Sequence, residues 1–293
     1  MATTKGDIDA QVAWMRGTRK KPPTLGAQAS QWASELGIGG QSRTVSTACS
    51  SGLVALIDAA FDVLENDVKQ TVVVGIDVAG DFVRDGFKSL KAISPSGLCR
   101  PFDRLRDGLM LGSMGAACLI SSLHNASKPT YLLSGWGVAS DAVHLTAPDR
   151  NASGLILAIQ QALAMCGLAP YDIDVILTHG TGTRYNDAME AVAIDAIFTK
   201  TGAWPAVTAV KGLIGHTLGA SGVVETLLAG KILQTQMIPA ITGLRDAEFP
   251  SLDLVRETRR DQSLRHVLKL ASGFGGLNAA IVLSSIATVG GIP

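Results

Sequence analysis

One arrangement of strand, turn and helix occurs twice in this sequence, and it constrains the fold more than any other feature. Residues 42–47 alternate between β-branched and polar residues, which predicts a short strand. Residues 53–64 repeat apolar residues at helical spacing, which predicts a helix. Residues 206–210 and 219–234 follow the same order near the other end of the chain. A layout that recurs in this way indicates two related halves.

Most other segments alternate between strand and helix patterns, which predicts an α/β layered fold. Residues 1–23 are polar and are expected to form a solvated arm, and residues 77–110 are expected to be irregular. The predicted helices are 24–36, 50–64, 153–166, 187–198 and 219–234, and the predicted strands are 42–47, 71–75, 111–121, 131–138, 174–178, 206–210, 266–271 and 278–285.

A comparison of the two halves leaves one unit without an equivalent. The elements after residue 178 match those of the first half in order, but the strand, helix and strand predicted over 131–178 have no counterpart. If the fold is duplicated, the first half lacks that unit, and its open sheet edge needs a cover. Residues 1–23 are too polar to be a good substitute.

Cys49 lies on the first of the two turns, among small residues and just ahead of Gly52. Free N–H groups and the positive end of the helix dipole favour a thiolate at such a place. Cys49 is therefore a candidate nucleophile. The alternative is a small buried hydrophobic residue, because cysteine is among the most buried residue types.

Candidate polar residues follow two of the predicted strands of the second half. His179 ends one strand and precedes a glycine-rich loop, where α/β sheets place their chemistry. Asp187 and Glu190 come early in the next helix, and we interpret them as capping and loop-anchoring residues. Lys211 and His216 lie on the turn that corresponds to the Cys49 turn.

Two further features belong to this set. Glu225 is on the helix behind the second turn, and Phe274 is surrounded by three glycines between the last two predicted strands. The backbone N–H groups of such a loop can approach a substrate and form an oxyanion hole. The loop also fits a hairpin turn, and both interpretations can hold together.

Composition restricts the class of protein. Hydrophobic residues make up 47% of the 293 residues and charged residues 17%, so a large core and much buried surface are expected. Lys+Arg and Asp+Glu both number 25, so no global charge attracts nucleic acid. The four cysteines form no CxxC pair, which is typical of a reducing cytosol. No apolar run approaches transmembrane length, so membrane anchoring is not expected.

Together these motifs resemble the β-ketoacyl-acyl carrier protein synthases, which are decarboxylating condensing enzymes of the thiolase-like superfamily. The matching stretches run in family order over roughly residues 24–285. They are 47–52, 99–103, 106–108, 140–148, 179–183, 211–225 and 273–276. The resemblance implies a layered α-β-α-β-α fold built from halves 1–124 and 125–293. Family members carry more chain before the cysteine, so it also implies a shortened first half that still keeps the strand at the family's dimer seam.

The resemblance further implies a mechanism in two steps. Cys49 would accept an acyl chain, and the N–H groups of Cys49 and Phe274 would stabilise the oxyanion, with Phe274 also acting as a gate. Malonyl-carrier protein would then lose carbon dioxide while His179 and His216 hold the enolate oxygen. Lys211, supported by Glu225, would orient the histidines. No metal and no cofactor are implied.

The implied partners are an acyl carrier protein and a ketosynthase-like subunit, in a homo- or heterodimer in the cytoplasm, with a heterodimer favoured. The product would serve fatty acid, polyketide or polyene synthesis. A non-catalytic partner similar to a chain-length factor is the alternative, although such partners commonly lose the nucleophile. A thiolase is disfavoured because Phe274 stands where a second catalytic cysteine would be expected.

Overall fold

The structure is a computed structural model, and it describes residues 1–6, 8–65, 68–126, 128 and 130–286. Its helices are α1 (Ile8–Met15), α2 (Leu25–Glu35), α3 (Ser51–Glu65), α4 (Asp81–Ser89), α5 (Ser153–Cys166), α6 (Arg184–Ile197), α7 (Lys211–Ile214) and α8 (Ser221–Thr235). Its strands are β1 (Gln70–Asp77), β2 (Met114–Ser121), β3 (Leu132–Ser140), β4 (Val175–Leu177), β5 (Ala206–Thr208), β6 (Met237–Ile238), β7 (Asp253–Leu254), β8 (Arg259–Arg260), β9 (His266–Ser272) and β10 (Leu277–Ser284).

The second half is built on a sheet with strand order β3-β10-β9-β4-β5-β7. β3, β10 and β9 are antiparallel, whereas β4 runs parallel to β9 and β5, and β5 runs parallel to β7. Ile176 and Leu268 pack into a core with α5 and α6, while Val175 and Val267 pack into a second core with α3 and α8. Because helices cover both faces, these central strands are mostly apolar on both sides. The predicted layered α/β fold is confirmed.

The first half contains a smaller sheet in which β1 and β2 pair antiparallel. Ala2 lies against the other edge of β1, where its N–H donates to Val74 O at 2.7 Å and its carbonyl accepts from Ile76 N at 3.0 Å. On its far side, Val45 N donates to Met1 O at 2.8 Å. The bridges from Ala2 to Gly75 and to Val45 are both parallel. The pairings of β4 with β5 and with β9 are parallel as well.

Two predictions for the first half are wrong. Residues 1–23 do not form a wholly solvated arm, because Ala2 and Thr3 are buried and α1 follows them. Residues 42–47 do not form a regular strand, since Val45 bridges to Ala2 and, among the described residues, that bridge does not extend into a ladder. Residues 16–21 are exposed, as a solvated segment would be.

The segment predicted to be irregular, 77–110, contains the helix α4. Val83 is its one buried residue, and most of the helix surface is exposed. The helix has only nine residues and contains Gly86, a poor helix former, so the prediction missed it although its apolar residues lie at helical spacing. α4 brings Phe87 into contact with Phe274, the aromatic residue of the glycine loop.

The helices that follow the two corresponding turns, α3 and α8, meet at a pair of glycines. A Cβ added at Gly52 would lie 2.7 Å from Val223 N and 2.8 Å from Gly222 Cα. A Cβ added at Gly222 would lie 2.1 Å from Leu53 N and 2.8 Å from Gly52 Cα. Side chains are excluded at both positions, so the helices approach at backbone distance and bring the two turns together.

Candidate active site

Cys49 is buried on a tight turn immediately before α3. Ala48 has φ of 51°, which is uncommon for a residue with a side chain. The Ser51 hydroxyl closes the turn, because Thr47 N donates to Ser51 Oγ at 2.9 Å and Ser51 Oγ donates to Ala48 O at 2.5 Å. The turn therefore has a fixed geometry that places the thiol at the start of the helix.

Burial raises the pKa of the Cys49 thiol to about 12. The positive charge of Lys211 lowers this pKa, whereas the negative charges of Asp77 and Glu225 raise it. Desolvation therefore opposes the thiolate that the start of a helix would favour, and with this pKa the group is a thiol at neutral pH.

His179 directly follows Thr178 at the end of β4, and its backbone is held by Glu190 of α6. His179 N donates to Glu190 Oε1 at 2.6 Å, and Gly180 N donates to Glu190 Oε2 at 2.7 Å. Burial raises the pKa of Glu190 to about 7, and it also raises the pKa of Asp187.

Asp187 holds the rest of this loop in the same way. Its Oδ1 accepts from Thr181 N at 3.1 Å and from Gly182 N at 3.2 Å, and its Oδ2 accepts from Phe102 N at 2.9 Å. The loop-anchoring interpretation of Asp187 and Glu190 agrees with these contacts. Both carboxylates lie behind the loop and bond its backbone.

Lys211 joins the loop to Glu225. Its Nζ donates to Glu225 Oε1 at 2.6 Å and to His179 O at 2.5 Å, and it lies 3.3 Å from His179 Nδ1. An ammonium can only donate, so Nδ1 accepts and the proton of the neutral ring is on Nε2. Lys211 thus leaves His179 Nε2 as a hydrogen-bond donor toward the site.

His216 completes the histidine pair. The His179 and His216 ring centroids are 5.2 Å apart with an interplanar angle of 87°. His216 Nδ1 lies 3.1 Å from Ser221 Oγ, and the His216 backbone N–H donates to Met110 O at 2.6 Å. Burial, together with the charge of Lys211, holds the pKa of both rings well below the usual 6.5. Both imidazoles are therefore neutral at physiological pH.

Phe274 lies on the loop that joins β9 and β10, which is the predicted hairpin turn. Gly273 N donates to Leu277 O at 2.9 Å, and Gly275 N donates to Leu145 O at 2.7 Å. Within the described chain, the N–H of Phe274 has no acceptor. The ring is 38% exposed and stacks on Phe87 at a centroid distance of 5.6 Å.

The glycine loop also contacts the Cys49 turn. A Cβ added at Gly273 would lie 3.0 Å from Thr47 O and 3.2 Å from Ser50 N. Phe274 directly follows Gly273, which packs against the Cys49 turn. An oxyanion donor has to lie close to the nucleophile in this way.

The sequence analysis missed one buried residue of the cluster, Lys269 on β9. Its Nζ lies 2.7 Å from Glu225 Oε2, as an ion pair outside the direction of a good hydrogen bond. Lys269 is fully buried. The available signal was a lysine between the apolar residues Leu268 and Leu270 of a predicted strand, since a lysine is almost never fully buried unless it is paired.

The described residues include no group of three or more His, Cys, Asp or Glu side chains with the geometry of a metal site. No helix among them is long and apolar enough to cross a bilayer.

Comparison with known proteins identifies the family. The model described as "Beta-ketoacyl synthase, N-terminal domain" matches residues 5–126, and that described as "Beta-ketoacyl synthase, C-terminal domain" matches residues 131–245. A 3-oxoacyl-[acyl-carrier-protein] synthase 2 of Coxiella burnetii is 32% identical over 84% of this chain and 62% of its own length. That of Mycobacterium leprae is 34% identical over 80% of this chain and 58% of its own length. The chain thus spans about three fifths of these curated relatives.

Solved structures agree on the fold. A chain of the complex of the ketosynthase ApeO with its chain length factor ApeC, from Xenorhabdus doucetiae, is 30% identical with a TM-score of 0.85. The alignment covers 97% of this chain and 73% of that one. A chain of the AntDE:AntF complex, a type II polyketide carrier protein with its ketosynthase, has a TM-score of 0.86 at 20% identity over 95% of this chain and 74% of that one. The fold, the two matched domains and these relatives show that the chain belongs to the β-ketoacyl synthase family.

Proposed function

We propose that this chain is an acyltransferase that condenses an acyl thioester with malonyl-carrier protein to give a β-ketoacyl thioester. The observation that carries the proposal is the buried cluster in which Lys211 contacts both His179 and Glu225, with the His216 ring edge-on to that of His179. Two neutral imidazoles held in this way are donors for an anion formed in a dry pocket.

In the first step, Cys49 Sγ attacks the carbonyl carbon of an acyl-carrier thioester. The N–H groups of Cys49 and Phe274 stabilise the oxyanion. The carrier thiolate then leaves and takes up the proton released by Cys49, and the acyl chain remains on Cys49. Phe274, stacked on Phe87 at the surface, acts as a gate between this step and the next.

In the second step, the bond between the malonyl carboxylate and the α-carbon breaks and carbon dioxide leaves. The electron pair stays with the thioester as an enolate, whose oxygen accepts from Nε2–H of His179 and His216. The carbanion attacks the acyl group on Cys49, and the C–S bond breaks. Cys49 leaves as a thiolate that takes up a proton from solvent, and the chain has grown by two carbons. Lys211 and Glu225 orient the rings, and Asp187 and Glu190 fix the loop.

Halves 1–124 and 125–293 form the two related units of the site, the first with the nucleophile and the second with the histidines, Lys211 and the glycine loop. The partners are an acyl carrier protein and a second ketosynthase-like subunit in the cytoplasm, with a heterodimer favoured over a homodimer. The solved relatives support this assignment, since they include a carrier protein with its ketosynthase and a ketosynthase with its chain length factor.

A specific observation favours the alternative, a non-catalytic partner similar to a chain-length factor. A cavity of about 870 Å³ opens in the half that contains Cys49, between β1, α2 and α3. A half with such a space can serve to shape the pocket of an active subunit. The retained Cys49, His179, Lys211 and His216 favour catalysis over this role.

Intact-mass spectrometry after incubation with an acylated carrier protein separates the two functions. Wild type and Cys49→Ala are each tested alone and with a co-expressed full-length ketosynthase. An acyl adduct on the wild type that is absent from Cys49→Ala supports catalysis. If the ketosynthase acylates normally and this chain never does, it is the non-catalytic partner.

A further inference from the structure

The structure contains a second buried lysine whose role the proposed mechanism leaves open. Lys269 lies in the middle of β9, opposite Ile281 of β10 and Leu177 of β4. It is fully buried, and so are the adjacent Leu268 and Leu270. A charged side chain in the centre of an apolar sheet is costly unless other groups compensate for it.

Glu225 is the group that compensates for Lys269. Lys269 Nζ lies 2.7 Å from Glu225 Oε2, while Lys211 Nζ lies 2.6 Å from Glu225 Oε1. One carboxylate therefore sits between two ammonium groups. Lys269 Nζ also donates to Thr178 O at 3.3 Å and to Leu270 O. Thr178 directly precedes His179, so Lys269 touches the histidine loop as well as the residue that holds Lys211.

The charged groups around Lys269 leave a net positive charge near the two histidines. Glu225 from α8, Lys211 from α7 and Glu190 from α6 are the charged groups that act on Lys269, and His179 and His216 lie beside Lys211. Glu225 balances one of the two lysines. Burial raises the pKa of Glu190 to about 7, so its negative charge is incomplete at neutral pH. The charge of Lys269 helps to hold the pKa of both histidines low.

We propose that Lys269 is a positioning residue for decarboxylation, which holds Glu225 and places a second positive charge behind the two imidazoles. The inference rests on the proposed function. When carbon dioxide leaves, the negative charge moves from the malonyl carboxylate to the thioester oxygen at the histidines. A fixed positive charge behind those rings stabilises the enolate without touching it. It also keeps both rings neutral, with Nε2–H available to donate.

The test compares Lys269→Met, which removes the charge at similar volume, with Lys269→Arg, which keeps it. Leu268→Met is the matched control, a buried neighbour on the opposite face of β9. Two reactions are measured from pH 5 to 8: acylation of Cys49 by intact mass, and carbon dioxide release from malonyl-carrier protein. Acylation does not use the histidines and so reports on folding and on the proposed function.

We expect Cys49 of Lys269→Met to be acylated as in the wild type. Decarboxylation of malonyl-carrier protein should be at least about tenfold slower, which is the cost of losing one charge-assisted contact. Its histidine pKa values rise, so the acid limb of the decarboxylation profile moves to higher pH. Lys269→Arg keeps the wild-type limb. An unshifted acid limb in Lys269→Met, or equal losses of acylation and decarboxylation while Leu268→Met keeps both, overturns the inference.

Histidine NMR titration tests the inference even if the wild type proves inactive. The resonances of His179 and His216 are assigned with single His→Gln variants, and each pKa is compared between wild type and Lys269→Met. Higher values in Lys269→Met support the charge assignment, and equal values refute it. An inactive wild type with shifted values would remove the proposed function while leaving the positioning role of Lys269 in place.

Discussion

The ring of His216 meets that of His179 edge to face, and Lys211 contacts only His179 of the two. The Nδ1 atom of His179 is occupied by an ammonium, and that of His216 by the hydroxyl of Ser221. Both Nε2 atoms are therefore available to a ligand that lies between the rings.

Replacement of either histidine by alanine is expected to lower decarboxylation of malonyl-carrier protein by about a hundredfold or more, the usual cost of removing an oxyanion donor. Acylation of Cys49 should change little, because that step uses backbone N–H groups. Carbon dioxide release and intact mass measure the two steps. His124→Ala, at an exposed position, is the control. Equal losses in both steps would contradict the division of roles.

The buried histidines also predict a pH-dependent stability. Because their folded pKa values lie below 6.5, the unfolded chain binds more protons than the folded chain once the pH falls below about 6.5. The free energy of unfolding therefore falls on acidification, by up to about 1.4 kcal/mol per pH unit for each ring. Above pH 6.5 the two rings contribute no slope.

Urea unfolding of wild type and His216→Gln between pH 5 and 8 measures this slope. The variant should lose less stability between pH 6.5 and 5. Glu190, whose pKa burial raises to about 7, stabilises the fold below pH 4.5 and loses that contribution as the pH rises toward 7. It does so in both proteins and cancels from the difference. Identical slopes would mean that His216 titrates normally.

Alkylation of Cys49 should show no thiolate plateau near neutral pH. With a pKa of about 12, about one thiol in ten thousand is ionised at pH 8. The rate of iodoacetamide labelling at Cys49 should therefore still rise tenfold per pH unit between pH 8 and 10, as followed by peptide mass mapping. A plateau below pH 9 would restore the dipole-stabilised thiolate that the sequence predicts.

Substitution of alanine for Gly52 is expected to destabilise the fold by about 2 kcal/mol, because the new Cβ would collide with the backbone of α8. Gly86→Ala is a matched control within a helix, since a Cβ there meets nothing within 4 Å. That variant should be stabilised by up to about 1 kcal/mol. Thermal unfolding of the variants measures both effects. Equal midpoints would show that α3 and α8 can separate without cost.

Asp187→Asn tests the anchoring of the histidine loop. The carboxylate accepts backbone N–H groups on both oxygens, and an amide nitrogen cannot accept. We expect a loss of about 1 to 3 kcal/mol in unfolding free energy and slower decarboxylation. Asp85→Asn, on the exposed surface of α4, should change neither. An Asp187→Asn protein that is fully stable and active would exclude the anchoring role.

The sequence predicted the second half well, because its central strands are mostly apolar and its helices α5, α6 and α8 are long segments with many buried residues. β9 and β10 match their predicted ranges within two residues. The site residues on turns were also recognisable, since His179, Lys211 and His216 interrupt apolar segments with polar groups. Their mutual contacts come from the pairing of β4 with β5, which sequence spacing alone does not specify.

The misses have physical causes. Residues 42–47 have a strand composition, but a regular strand needs a continuous ladder, and among the described residues the bridge from Val45 to Ala2 does not extend into one. Lys269 was overlooked because the pattern of β9 is apolar, and the compensating Glu225 is distant in sequence and close only in the fold. Asp77 is a similar case: it accepts from Thr4 N and from Gly219 N, and so ties the N-terminus to the second half.

The glycine contact between α3 and α8 has the symmetry of an isologous dimer interface. Gly52 faces Gly222 and Val223, while Gly222 faces Gly52 and Leu53, so equivalent positions meet about a two-fold axis. The consequence of this reciprocity is that neither glycine can be replaced alone. A side chain at either position would meet the backbone of the other helix, so the spacing of α3 and α8 is set jointly by one residue from each.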